Sequence, residues 1–492
     1  MSADHPFRWK LLAGVLAAAL AAAGCASVDP DRTGSLTDAA ATQDDISADL
    51  PVEQRREHQR LISSYGGVYR SPALESLIAQ TVERLIAVSG RQELKYRVVI
   101  LNSPAINAFA LPGGTLYVTR GLISLANDTS ELSSVLAHEM AHVIARHASI
   151  RDDQVRQAVI VSRVISDVLQ DADLGALALA RSRLTLATFS RGQELEADAV
   201  GVGISARAGY DPYGASRFLT TMGRYATLRS AAFGRTQASA EQIDFLSSHP
   251  STPERISIAV ANARQYAAPG SAERDRQAFL EALNGIVYGD DPKEGFVRGR
   301  RFFHPNLGLS FTAPENFTLE NTPQAVLGAT TSGREAVRLD AVRVSAMQPL
   351  GAYLASGWID GVDPSSVETL TINGFPAATA IARGEQWSFR LFAIRFGSDV
   401  YRLVFAARGL TPELDQKFRA AALTFRRVPL DEAKEAKPLR IAIVLAERGD
   451  TAERLASRMA VPDRALERLL VLNGLQRGAV IKPGDLVKII VE

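Results

Sequence analysis

The 492-residue sequence has one cysteine, Cys25, so a disulfide within the chain is excluded. Excess charge of one sign is also missing. Its 55 Lys and Arg stand against 54 Asp and Glu, and the interspersed charges leave no basic footprint for nucleic acid. Beyond Leu11–Ala23, no apolar run is long and clean enough to span a bilayer. The stretch Gln157–Leu186 is apolar, but Arg163, Asp167, Asp171, Asp173, Arg181 and Arg183 interrupt it, so it reads as flanking helices. Histidine is scarce: there are seven, and three of them fall at 138, 142 and 147.

The N-terminus reads as a targeting segment. Arg8 and Lys10 give a positive start, and Leu11–Ala23 is a short Ala-rich apolar run. The following Ala22-Ala23-Gly24-Cys25 resembles a bacterial lipobox, with Ala22 where leucine is commoner. That resemblance implies lipid on Cys25, which would also explain a lone thiol in an oxidising compartment. No aspartate directly follows Cys25, and the usual sorting pattern then implies the outer membrane, facing the periplasm. Plain secretion is the alternative. The Asp-, Ala-, Ser- and Thr-rich segment after Cys25 reads as a flexible tether.

The chemistry concentrates at His138-Glu139-Met140-Ala141-His142, inside the helix-compatible run Glu131–Ile150. Histidines four apart on a helix lie about 40° apart on one face, at ~100° per residue. Two neutral imidazoles can then bind one Zn²⁺ from the same side, with Glu139 within reach of an activated water. The helix is otherwise apolar, with Leu132, Val135, Leu136, Met140, Val143 and Ile144. Burying two histidines and a glutamate there is costly unless they are paired or ligated. The alternative is a surface helix with solvated histidines.

A zinc site needs a third ligand. His147 lies about 180° round the helix from His138, and no Gly or Pro stands between His142 and His147 to break it. It is expected on the helix surface or behind a ligand. Glu194 and Asp198 are four apart and share a helix face, whereas Glu196 points away. Spacing alone leaves two readings for that pair: a ligand with its supporting carboxylate, or an ordinary solvated face. Asn107, Ala108, Phe109 and Ala110 lead through Leu111 into Pro112-Gly113-Gly114. They read as an exposed strand edge that could pair with an extended substrate backbone, or as an ordinary hairpin.

These motifs occur in the order NAFALPGG, GL, HEMAH and SRGQELEAD. Together they resemble the Oma/HtpX/BepA group of gluzincin zinc metallopeptidases, related to the CAAX prenyl proteases, over about residues 61–263. The resemblance implies His138, His142 and Glu194 as ligands of one Zn²⁺ per chain, with Glu139 as catalytic base. It places Asp198 behind the ligands, where some descriptions make it a proton donor. It also singles out His249, which can occupy a fourth zinc position and shut the site in BepA-like members, or alternatively help hold an oxyanion.

The expected fold is α+β and multidomain: a mainly helical gluzincin domain with a small sheet edge, a mixed α+β module and a small βααβ module. The boundaries read as a signal at 1–25, a tether at 26–55, the peptidase domain at 56–268 and a helical connector at 269–295. An α+β module of unassigned role follows at 296–428, then a linker at 429–438. Within that module, Trp387–Phe396 and Val400–Ala407 read as a hairpin, and His304 as structural. The tail, 439–492, resembles a LysM module, which implies peptidoglycan glycan as a possible partner.

The function expected is a periplasmic endopeptidase acting on misfolded or stalled envelope proteins. A chaperone or adaptor with His249 capping the metal is a second reading. A peptidoglycan-docked scaffold with purely structural zinc is a third, although such a site has no need of a base at Glu139.

Overall fold

The structure, a computed structural model, describes residues 52–94, 96–111, 114–150, 189–233, 249, 252–272, 274–435, 437–461 and 463–492. The expected leader with Cys25, most of the tether, the apolar stretch 157–186 and the Pro112-Gly113 turn lie outside the described residues. Among the described residues, no helix is long and apolar enough to cross a membrane. The chain divides into two compact units, one of 68–228, 243–289 and 439–492, the other of 1–67, 229–242 and 290–438.

The first unit opens with α1 (Pro72–Val88), which starts on a proline and buries Leu74, Ile78, Val82 and Leu85 along one face. A three-stranded sheet follows: β1 (Arg97–Leu101), β2 (Ala108–Ala110) and β3 (Thr115–Thr119), in the order β1-β3-β2. β2 runs antiparallel to β3, with Ala108 opposite Val118 and Ala110 opposite Leu116, and forms an edge of the sheet.

From β3 the chain passes through α2 (Arg120–Leu125) into α3 (Thr129–Ile144), which carries the His-Glu-x-x-His motif and packs against β2. Asp128 caps α3, accepting from the Glu131 N–H at 2.8 Å. Leu132, Leu136 and Met140 are fully buried, each burial contributing roughly 2 kcal/mol.

The expected continuous helix to Ile150 is not what forms. α3 ends at Ile144, Arg146 adopts a left-handed backbone with φ 56°, and helical backbone resumes at His147. That conformation costs a non-glycine residue about 1 kcal/mol, and it turns His147 inward to a buried position.

Next come α4 (Arg191–Arg207), α5 (Gly214–Phe233), α6 (Pro253–Ala263), α7 (Arg276–Leu283) and the short strand β4 (Val287–Tyr288). A capping box starts α4: Ser190 and Gln193 satisfy each other's backbone N–H groups. α4 crosses α3 closely at Gly201, where an added Cβ would stand 3.0 Å from the His138 backbone nitrogen.

The tail forms β5 (Leu439–Leu445), α8 (Ala452–Ala456), α9 (Ala465–Leu472) and β6 (Leu486–Val491), the expected strand-helix-helix-strand order. It belongs to the first unit. β5 pairs with β6 on one side and β4 on the other. Ile441, Leu455, Leu469 and Ile490 share one core with Leu132 and Leu136. The tail's apolar inner face is continuous with the core of the first unit.

The second unit is built on a seven-stranded antiparallel sheet. In spatial order its strands are Glu368–Ile372, Phe375–Arg383, Ser388–Phe396, Asp399–Ala407, Glu335–Val342, Val326–Thr330 and Phe317–Asn321. The expected hairpin is its centre, with Phe396 opposite Asp399. The helix Pro412–Ala422 covers one face, burying Phe418 against Phe405. His304 is fully buried and accepts from the Leu307 N–H at 3.3 Å.

Candidate metal centre

α3 brings His138, Glu139 and His142 into the interior, and α4 presents Glu194 and Asp198 from across the helix pair. His249, just ahead of α6, completes a cluster. His138, His142, Glu194 and His249 are all buried, and each offers one ligand atom within 4.8 Å of the others.

The separations are specific. His138 Nε2 lies 3.1 Å from His142 Nε2 and 3.2 Å from His249 Nδ1. Glu194 Oε1 lies 2.8 Å from His249 Nδ1 and 3.5 Å from His142 Nε2. Four N/O donors bound tetrahedrally at the usual zinc distances stand roughly 3.3 Å apart along each edge. Burial pushes the imidazoles of both His138 and His142 below their ordinary range, leaving them neutral, as ligation requires. Lone pairs of neutral imidazoles facing one another at about 3 Å repel unless a proton or a cation lies between them. The donor set therefore fits a metal ion, and its three nitrogens and one oxygen are the set zinc prefers.

Each α3 histidine is oriented from behind. His138 Nδ1 lies 3.0 Å from Asp198 Oδ1, so its N–H donates there and Nε2 is left to face the cluster. His142 Nδ1 lies 2.9 Å from His147 Nδ1, and His147 Nε2 lies 3.3 Å from Glu196 Oε2. The tautomers that satisfy both contacts have His142 Nδ1–H donating to His147, and His147 Nε2–H donating to Glu196. The helix break at Arg146 makes this possible. The Phe189 ring stacks on His142 at 4.1 Å.

Sequence reasoning missed Arg255. Its side chain, buried on α6, donates to Asp198 through Nε and Nη2, both at 2.7 Å, and its Nη1 lies 2.9 Å from Glu194 Oε2. Burial alone would raise the Asp198 carboxyl, but hydrogen bonds from Arg255 and His138 outweigh it and hold the group well below the usual carboxylate range. Burial likewise pushes Glu194 up, against His138 and Arg255.

Glu139 is buried beside the cluster, and its Oε1 has no hydrogen-bond partner among the described residues. His249 Nε2 lies 3.8 Å from Glu139 Oε1. Burial first, then the Glu194 charge, raises its carboxyl well above the ordinary range. The edge expected to be exposed is only partly so: the strand is Ala108–Ala110, Asn107 and Ala108 are buried and Phe109 and Ala110 half-buried, because the strand packs against α3.

Residues 72–263 match the sequence model of peptidase family M48. That stretch is similar to M48 peptidase domains. The chain is 30% identical over 220 residues to the mitochondrial metalloendopeptidase OMA1 of Schizosaccharomyces pombe, covering 43% of this chain and 60% of that protein. It is 28% identical over 258 residues to the beta-barrel assembly-enhancing protease of Yersinia pestis, covering 51% and 50%. The protease of the same name from Escherichia coli is 26% identical over 266 residues, covering 52% and 53%. The chain thus spans about half the length of these curated relatives. The buried His138, His142 and Glu194 fall inside the matched M48 region, whereas the 290–438 unit and the tail lie beyond it.

Proposed function

We propose that this chain is a zinc-dependent endopeptidase. One observation carries the reading: three imidazole nitrogens and a carboxylate oxygen converge at zinc-like separations beside a buried, raised carboxyl. His138, His142 and Glu194 would hold the ion. A bound zinc ion supplies Lewis acidity, polarising a carbonyl and acidifying water. Glu139 Oε1 takes a proton from the attacking water and returns it to the leaving amine nitrogen as the C–N bond breaks. β2 holds the extended substrate by main-chain hydrogen bonds, which give affinity with little sequence selectivity. Asp198, kept anionic by Arg255, orients His138 and does not donate a proton.

His249 favours a latent form of the same enzyme. With Nδ1 among the donors, it fills the position that water and substrate need. Movement of His249 opens the site. If it never moves, the chain acts as a chaperone or adaptor.

The substrates of this reading are misfolded or stalled envelope proteins, supported by similarity to proteins named beta-barrel assembly-enhancing protease. The location is the periplasmic face of the outer membrane, through lipid on Cys25. Residues 439–492 contact peptidoglycan, a reading that rests on the strand-helix-helix-strand order and the LysM resemblance.

The test is casein cleavage by the purified full chain, with zinc quantified. Cleavage by the wild type that falls about 10²- to 10⁴-fold in Glu139→Gln, with zinc retained, is the expected result. Zinc-free protein that cleaves as well as the loaded form would overturn it.

A further inference from the structure

Lys488 sits in mid-β6 with Val487, Ile489 and Ile490 buried around it, and is itself 0% exposed. A buried ammonium is costly unless its three hydrogens find acceptors. Here they do: Nζ donates to the main-chain carbonyls of Ser124 at 2.9 Å, Ala126 at 2.7 Å and Leu125 at 3.4 Å. These carbonyls close the C-terminal end of α2, where unpaired acceptors and the helix dipole favour a cation.

The next residues are gripped from both sides. Arg276 donates to the carbonyls of Asn127 at 2.8 Å and Leu486 at 3.1 Å. Gly474, at φ 63°, comes so near that an added Cβ would lie 3.2 Å from Asn127 Nδ2. Asn473 fixes the Lys488 peptide itself, accepting its N–H at 2.7 Å and donating to its carbonyl at 2.8 Å. From the opposite side, Glu131 accepts the Asn127 N–H at 2.9 Å, and Asp128 is held by Arg217 at 3.1 Å and Arg274 at 2.8 Å.

This joint links two parts of the site. α2 continues β3, which carries the edge strand β2, while α3 carries His138, Glu139 and His142. Fixing the joint therefore fixes how the strand edge stands to Glu139. We propose that Lys488 is a positioning residue for the peptidase site, through which the C-terminal strand-helix-helix-strand segment sets the substrate edge against the metal-binding helix. The inference rests on the peptidase reading above.

The experiment compares the full-length wild type, Lys488→Met and the charge-balanced Lys488→Met/Glu131→Gln, with zinc content, kcat and KM on an internally quenched peptide, and amide hydrogen exchange. The expected variants are folded and bind one zinc. Their KM stays within about threefold, while kcat falls by about tenfold to a hundredfold because the bound carbonyl is misplaced relative to Glu139. Faster exchange confined to Leu122–Glu131 accompanies the loss. Folded, zinc-loaded variants with wild-type kcat overturn the proposal. So does failure of both variants to fold, since a residue needed for the whole fold does not act by positioning. If the zinc-loaded wild type turns nothing over, the peptidase reading fails instead. The exchange data then decide alone: faster exchange limited to the joint supports the role of Lys488, and an unchanged pattern overturns it.

Discussion

His147 Nδ1 lies 2.9 Å from His142 Nδ1, on the side of the ring turned away from the metal cluster. This contact exists because α3 stops one turn early and Arg146 takes a left-handed conformation. His147→Ala should lower zinc affinity by about tenfold, the lower range for loss of a group that orients a ligating histidine. Competition with a zinc chelator measures it. Glu196→Gln should do less, because the Glu196 side chain is 59% exposed and water replaces it.

Asp198 and Arg255 separate two roles for the carboxylate. If Asp198 orients His138, Asp198→Ala lowers zinc affinity by about 10- to 100-fold, and Arg255→Met loosens both Asp198 and Glu194. A proton-donor role would instead leave zinc affinity unchanged and lower kcat alone. Parallel zinc titrations and turnover measurements distinguish the two.

His249→Ala should raise casein cleavage by about tenfold or more if the imbalance between open and closed forms is about 1.4 kcal/mol or larger. Zinc should stay bound through His138, His142 and Glu194. A variant that loses its zinc would show His249 to be a required ligand and not a cap.

Glu131 gives a pH signature. Burial, reinforced by Asp128, pushes its carboxyl up to about 7. A carboxyl raised on folding contributes stability that is fully present below the ordinary value near 4.5 and lost as pH rises through about 7. The melting temperature of Glu131→Gln should therefore gain on that of the wild type by about 3 °C per pH unit across this window. Parallel melting curves between pH 5 and 8 supply the difference. A constant offset would show that Glu131 stays charged throughout.

Much of this site was legible because helical spacing is rigid. Residues four apart must share a face, so His138 with His142 and Glu194 with Asp198 could be paired from sequence. The strand edge at Asn107–Ala110 was visible for a similar reason, the turn residues after it. Arg255 was not visible, since an arginine in a helix gives no sign of whether it faces solvent or two buried carboxylates. The break at Arg146 escaped because nothing local asks for it; contacts of His147 with His142 and Glu196, the latter from a distant helix, compensate for it. The tail showed its order of elements but not its docking. Lys488 interrupts an apolar strand, and nothing in that run shows that it is fully buried against α2.

Gly201 has a wider consequence. The ligands reach the ion from two helices, and the gap between those helices is set where Gly201 faces the backbone of His138. The smallest possible side chain at that crossing acts as the gauge of the metal site. Ligand identity alone does not decide which ions fit; the spacing of the backbones that carry the ligands does so too. A single methyl group at position 201 would change the bore of the site by pressing on the backbone of His138, with every ligating side chain left in place.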